Sequence, residues 1–313
     1  MLHSHMRKFL IDTDTASDDA VALLMAHRWP DVQVEAITIV SGNVPVEQGA
    51  KNALYTLQMC GASTPVYLGC PKPMLRPCQY AQWFHGEDGM GNMHYPEPQA
   101  KPQLAHGVDI IIDTIKTNPK EITLVTLGPL TNIAIALLRA PEIASLVKRC
   151  VIMGGAANVV GNVTPAAEYN IWVDPDAAKI VFHSGMPMEM VGWELSRGDA
   201  ALLPAEIAQI KNLGTEIASF AVDCNASALE ASVKIQDSPG LTLADPVAMA
   251  VALDPAIITR QGKYYVEVET LSELTRGQTV VDELGVLKQT PNMTVICSID
   301  APRWKEHLYR CLG

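Results

Sequence analysis

Asp12, Asp14, Asp18 and Asp19 fall within eight residues of the stretch IDTDTASDDAVALL, Ile11 to Leu24. Carboxylates this crowded repel one another unless a cation or shared protons neutralise them. An all-oxygen set with no cysteine or histidine beside it favours Ca²⁺ or Mg²⁺ over zinc. The pattern is not an EF-hand loop, because its fifth position would be Ala16 and no glycine follows in register. Asp12-Thr13-Asp14 also has the spacing of the aspartate pair in phosphoaspartyl phosphatases, but Ala16 stands where that motif carries a hydroxyl residue. An N-cap with a charged first helical turn accounts for Asp18 and Asp19 and leaves Asp12 and Asp14 unexplained.

The elements around this cluster must bring it to a strand end. Phe9 to Ile11 is apolar and stops at Asp12, and an apolar-striped helix starts near Ala20. The alternation repeats: VEAITIV as strand, Val46 to Cys60 as helix, TPVYLG as strand, Leu104 to Ile115 as helix, EITLVTLG as strand, and PLTNIAIALL as a helix opened by proline. CVIMGGAA and MPMEMVG read as further strands, Pro175 as a helix start, and Ala200 to Gln236 as mainly helical. Tyr264 to Thr270 and Met293 to Ile299 are the last candidate strands. Strand-helix alternation of this kind predicts an open, doubly wound, mostly parallel α/β sheet with a Rossmann-like layout. Ligands of such sheets bind at the strand C-termini. Residues 69–102, rich in proline and glycine, read as an excursion or an active-site loop.

The 313 residues are enough to bury a large core, and no linker or internal repeat divides them, so 6–313 is expected to form one domain. MLHSHM reads as expression-vector residue before a natural start at Met6, which sets His3 and His5 aside as ligands. A net charge of -11, with 34 acidic against 23 basic residues, argues against nucleic-acid and anionic-membrane partners. Seven scattered cysteines without C-x-x-C spacing argue against zinc knuckles and redox dithiols and fit a cytoplasmic setting. They are expected to pack as small apolar residues. No apolar run has the length of a membrane span. Gly154 and Gly155 lack the G-x-G-x-x-G context of a dinucleotide site, and TLGPLTN lacks the lysine of a phosphate loop.

The aspartate segment resembles the signature of the nucleoside hydrolases, the inosine-uridine-type N-ribohydrolases. That signature usually has proline and glycine where this chain has Thr15 and Ala16. The resemblance continues through SGN (41–43), FHGEDGMGN (84–92), TLGPLTN (126–132), IMGG (152–155), GNVTPAAEYNIWVDPDAA (161–178) and LADP (243–246), covering most of Met6 to Leu253. It implies calcium-dependent hydrolysis of ribonucleosides to ribose and free base, by a homodimer or homotetramer.

Residue by residue, the resemblance gives the Ca²⁺ to Asp14, both oxygens of Asp19, Asp245 and the backbone carbonyl of Leu127. The family more often supplies that carbonyl from threonine. Asp14 is implied as general base toward the attacking water. Asp18 and Asn43 match residues gripping the ribose 2′/3′ diol, which Asp245 also faces. Asn162, Glu168 and Asn170 match residues reaching the ribose hydroxyls, Met153 an apolar contact beneath the sugar, and Asp12 a residue orienting the loop from behind. His85 matches a histidine near the base, with Trp83 beside it.

At the leaving-group end the chain departs from the pattern. The family's histidine before the last calcium aspartate is Ala244 here. A second family strategy stacks a purine between aromatic rings; Trp83, Trp172 and Trp193 are the candidates. Two readings outside ribonucleoside hydrolysis stay open: a ribose- or nucleoside-binding protein without turnover, which Ala244 keeps in view, and a metal-dependent aspartyl phosphatase, on the spacing of Asp12 and Asp14. His27, His106, His183 and His307 are expected to serve packing and helix surfaces.

Overall fold

Strands with apolar side chains on both faces must be covered on both faces, and that requirement fixes the layers. The computed structural model describes residues 6–313; the segment assigned to vector residue lies outside the described residues. Its nine strands are β1 (Arg7–Thr13), β2 (Val32–Ile39), β3 (Val66–Leu68), β4 (Ile122–Thr126), β5 (Arg149–Met153), β6 (Met188–Val191), β7 (Ile258–Val268), β8 (Thr279–Asp282) and β9 (Met293–Ile299). They form one sheet in the order β3-β2-β1-β4-β5-β6-β9-β7-β8. Pairing is parallel from β3 to β9, and antiparallel where β7 joins β9 and β8 joins β7. The expected open, mostly parallel α/β sheet is what the chain adopts.

β1 lies inside the sheet, and its side chains alternate between the two cores: Phe9 and Ile11 enter one, Leu10 the other. The first core holds the helices Ser17–His27, Val46–Met59, Ala244–Leu253 and Ala301–Leu312. The second holds Gly107–Thr117, Thr131–Arg139 and Pro175–Phe182. β1 and β4 therefore end side by side at mid-sheet, with their C-terminal loops opening to one edge.

The helix Ala244–Leu253 is buried from Asp245 to its end, so its terminal carbonyls need protein partners. Arginines from two strands supply them. Arg7 donates to Leu253 O (2.9 Å), and Arg149 donates to Val251 O and Ala252 O (both 3.0 Å). Asp31 and Glu189 hold those guanidiniums in turn. The far end of this helix, carrying Asp245, is thereby fixed against the sheet.

Several boundaries differ from the sequence reading. β7 begins at Ile258, because its first half, ITRQGK, is solvent-exposed edge without apolar alternation. β8 is four residues long and gives no periodic signal. The helix expected from Leu104 starts at Gly107, where the His106 ring accepts the Val108 N–H (3.2 Å), and Leu104 is exposed. Pro129 precedes the helix Thr131–Arg139 rather than opening it. Cys78 is exposed, contrary to the expectation of a packed thiol; Cys150, Cys224 and Cys311 are buried, and all seven cysteines are free. Among the described residues no helix is long and apolar enough to cross a membrane.

Candidate active site

β1 delivers Asp12 inside the sheet and Asp14 just past its end, and both are fully buried. Ala16 precedes the helix Ser17–His27 in extended backbone (φ -113°), so this loop needs no left-handed residue where the family has glycine. Asp18 and Asp19 then fall in the first turn of that helix, and Asp245 in the first turn of Ala244–Leu253 packed against it. Two helix N-termini thus converge on the acidic cluster, and their dipoles offset part of its repulsion.

Carboxylate oxygens of Asp18, Asp19 and Asp245 lie within 4.8 Å of one another. Asp18, matched by the resemblance to a diol-binding residue, thus stands in the same cluster as Asp19 and Asp245. Asp19 is locked: its Oδ1 accepts the Thr13 hydroxyl (2.5 Å) and its Oδ2 the Ala16 N–H (2.9 Å). Oδ2 of Asp14 accepts the Asn43 N–H (2.6 Å), while its Oδ1 is buried with no hydrogen-bond partner. Burial, and then the neighbouring negative charges, push the carboxyls of Asp14 and Asp245 well up from their ordinary range. Asp19 is raised by the same causes, and burial lifts Asp18 to about 6.

The space beside Asp14 exists only because two neighbours lack side chains. A Cβ on Gly42 would sit 2.0 Å from Asp14 Oδ2, and one on Gly128 would sit 2.7 Å from Oδ1. Behind, Asp12 Oδ1 accepts from Thr38 (2.5 Å) and Asn132 (2.8 Å), tying β1 to β2 and to the helix after β4. Its Oδ2 is buried without a partner, and burial raises its pKa to about 7.

These donors fit a hard divalent cation. The set is all oxygen, Asp14 Oδ1 is buried and unpartnered, and several carboxylates share a volume where a cation would offset their repulsion. The Leu127 carbonyl follows β4 at the same edge; it accepts Asn170 Nδ2 at 2.8 Å, which leaves a second lone pair.

A cleft of about 620 Å³, including its open mouth, extends from the cluster. Asp18, Asn43, Leu127, Met153, Asn162, Glu168, Asn170 and Asp245 line it, together with Trp83, His85 and Ala244. Glu168 caps the short helix Tyr169–Val173, accepting N–H groups from Asn170 and Ile171 as well as from Gly155 (2.8 Å). Burial lifts it to about 7. Asn162 is half-buried and accepts the Tyr169 N–H, and the Tyr169 hydroxyl donates to Gly42 O and Gln79 O. That bond closes the wall between the 41–43 and 79–85 loops.

His85 is buried, with Nδ1 2.7 Å from the Ser17 hydroxyl and 3.8 Å from Asp18 Oδ1; burial lowers its pKa to about 4. Trp83 stands half out of the pocket, 52% exposed. Trp172 is not part of the lining and instead packs under Arg276 (4.3 Å). Of the histidines expected to serve packing and helix surfaces, His27 bonds Thr64, His106 caps the helix Gly107–Thr117, His183 pairs with Glu267 and His307 pairs with Asp254.

The sequence reading singled out no role for Phe84, Ser196, Gln236 and Thr242, and could not position Trp193; all five line the pocket. Trp193 comes just after β6, and a strand C-terminal end in a parallel sheet was a usable signal. Gln236 and Thr242 sit in a connection between helices with no motif to mark them.

Comparison with known proteins gives a consistent picture. The inosine-uridine preferring nucleoside hydrolase family matches residues 9–306. The inosine-uridine preferring nucleoside hydrolase of Leishmania major is 40% identical over 280 residues, covering 88% of each chain. A pyrimidine-specific ribonucleoside hydrolase of a Shewanella species is 38% identical over 300 residues, 94% of this chain and 92% of its own. The solved structure of a purine-preferring ribonucleoside hydrolase from Gardnerella vaginalis has a TM-score of 0.90 and 32% identity, covering 98% of each chain.

Proposed function

Because the chain belongs to the inosine-uridine preferring nucleoside hydrolase family, an N-ribohydrolase by membership, we propose that it cleaves ribonucleosides with Ca²⁺ held by Asp14, Asp19, Asp245 and the Leu127 carbonyl. The observation that carries the metal reading is the buried, unpartnered Oδ1 of Asp14 beside the Asp18, Asp19 and Asp245 cluster. When bound, the cation supplies positive charge that holds vicinal hydroxyls and acidifies water.

The chain's own groups do the rest. Asp14, held through Oδ2 by Asn43, keeps Oδ1 for the proton of the water that attacks C1′. Asp18 and Asn43 bind the 2′- and 3′-hydroxyls. Asn162, Glu168 and Asn170 take the remaining ribose oxygens, with Met153 beneath the sugar and Asp12 fixing the loop. Cleavage develops positive charge on the ribose ring, and fixed carboxylates around it favour that charge. A 2-deoxyribose leaves donors and acceptors at the diol unmatched, so ribosides are preferred. His85 and Trp83 face the base.

The relatives carry pyrimidine-specific, purine-preferring and inosine-uridine names, and our reading commits to ribose rather than to one base. Ala244 bears on the leaving group and leaves the ribose residues in place; the non-catalytic reading rests on that alanine alone, and the phosphatase reading on the Asp12-Thr13-Asp14 spacing alone. Seven free cysteines support a cytoplasmic setting. Exposed Leu271, Leu274, Leu284 and Val286 beside the last strand of the sheet support a homodimer or homotetramer.

The test is base release from inosine, adenosine, guanosine, uridine, cytidine and p-nitrophenyl riboside, with and without chelator. Turnover is expected with Ca²⁺, lost on chelation and restored by the ion; Asp14→Ala lowers it by about a thousandfold or more. Full activity after complete removal of divalent ions overturns the metal reading.

A further inference from the structure

Ser17 and His85 form a buried pair whose partner choices are restricted. The Ser17 hydroxyl lies 2.7 Å from His85 Nδ1 and has no other side-chain or backbone acceptor among the described residues except the neighbouring ring. Ser17 itself is held in place. It is the first residue of the helix Ser17–His27, and its carbonyl accepts the Asn225 amide (3.1 Å) and the Cys224 thiol (3.5 Å).

We propose that Ser17 is a positioning residue for base recognition: its hydroxyl donates to His85 Nδ1, which keeps the imidazole proton on Nε2 and presents an N–H to the nucleobase. This deepens, and rests on, the ribonucleoside reading above. A buried hydroxyl with no acceptor is costly, so its hydrogen goes to the one acceptor within reach. A neutral imidazole carries a single ring proton, and with Nδ1 accepting, that proton is on Nε2. Asp18 Oδ1 stands 3.8 Å from Nδ1, beyond hydrogen-bond distance, and does not compete. Nε2 makes no protein hydrogen bond among the described residues, and His85 lines the pocket together with Ala244 and Asp245. Phe84 flanks the ring edge to face, with centroids 4.9 Å apart, and limits its rotation.

The chemical consequence lies at the departing base. When the bond from C1′ to nitrogen breaks, its electron pair passes to the base, and negative charge spreads over the base's ring nitrogens and carbonyl oxygens. An N–H aimed at that region stabilises the charge without transferring its proton, and solvent supplies the proton that finally neutralises the base. Ala244, which lines the same pocket, offers no polar side chain, and His85 Nε2 is a donor there with no protein partner among the described residues.

The experiment compares wild type, Ser17→Ala, Ser17→Thr, His85→Ala and the Ser17→Ala/His85→Ala double variant. kcat and KM are measured on uridine and inosine against p-nitrophenyl riboside, whose nitrophenolate departs without such help. Ser17→Ala is expected to lose about tenfold more kcat on the better nucleoside than on the activated riboside. Ser17→Thr, which keeps the hydroxyl, recovers most of that difference, and the double variant matches His85→Ala. The ¹⁵N spectrum of the His85 ring gives a readout independent of turnover: a proton on Nε2 in wild type, and a tautomer mixture in Ser17→Ala. Equal losses on all substrates, additive losses in the double variant, or a wild-type proton on Nδ1 overturn the proposal. If wild type hydrolyses no ribonucleoside, the functional reading itself fails; if it does and the differential is absent, only this inference fails.

Discussion

Stripping divalent ions should make the protein's stability fall as pH rises, in a range where most proteins gain stability. Asp18 shows the magnitude. Its carboxyl moves from an ordinary 3.8 to about 6 on folding, with a side chain only 13% exposed. A raised acid binds its proton more tightly folded than unfolded, so its stabilising effect is full below pH 3.8 and is lost as pH rises through about 6. The whole effect of a shift this size is about 3 kcal/mol, of which about 1 kcal/mol is lost between pH 5 and pH 8. Asp14, Asp19 and Asp245 shift in the same direction, so they act with the same sign. A bound cation removes the cost of ionising the cluster. The gain in melting temperature on adding Ca²⁺ to metal-free protein should therefore exceed its pH 5 value by about 2 °C or more at pH 8. Scanning calorimetry of dialysed protein at both pH values, with and without millimolar Ca²⁺, measures it. A gain that is equal at the two pH values, or smaller at pH 8, would refute the reasoning that a cation beside Asp18 offsets the cost of ionising this cluster.

Other perturbations reach the same architecture from different sides. Among the described residues no lysine or arginine lines the cleft, whereas Asp18, Glu168 and Asp245 do, so a 5′-phosphate meets only like charge; kcat/KM for inosine 5′-monophosphate should lie at least about a hundredfold below that for inosine. Gly42→Ala forces its new methyl against Asp14 Oδ2 and the Pro129 ring. It should lower turnover strongly while costing about 1–3 kcal/mol of stability in denaturant titrations, and wild-type kinetics would show that the cradle around Asp14 is not needed. Trp304 is fully buried and donates its indole N–H to Ala200 O (3.0 Å). Trp304→Ala should cost about 3–5 kcal/mol without changing KM in the folded fraction, measured by urea unfolding alongside kinetics.

Much of the architecture was written locally. Short β-branched runs ending in polar loops and followed by apolar-striped helices specify parallel strands covered on both faces, and β1 to β6 and β9 appear where those runs stand. The aspartate segment was legible for the same reason: Asp12 to Asp19 span one strand end and one helix start, so their mutual distance depends on backbone geometry within eight residues. The first half of β7 was not legible because its residues are mostly exposed, and β8 was not because it has four residues and carries valine on both its buried and its exposed face.

By itself the sequence determined the residue types available for chemistry: four aspartates across one strand end and helix start, an aspartate opening a later helix, and an alanine where the related family has a histidine. Only the tertiary structure decided which distant residues meet them. The strand order carries β4 and β5 beside β1, bringing Leu127 and Met153 to the aspartates, and the packing of Ala244–Leu253 against Ser17–His27 carries Asp245 across more than two hundred residues. The same packing set Asp18 among the clustered carboxylates, seated Ser17 against His85, and gathered Trp193, Gln236 and Thr242 into the lining of the cleft. Spacing along a chain encodes neighbours within a turn or a strand, whereas contacts between elements follow from burying both faces of the sheet at once.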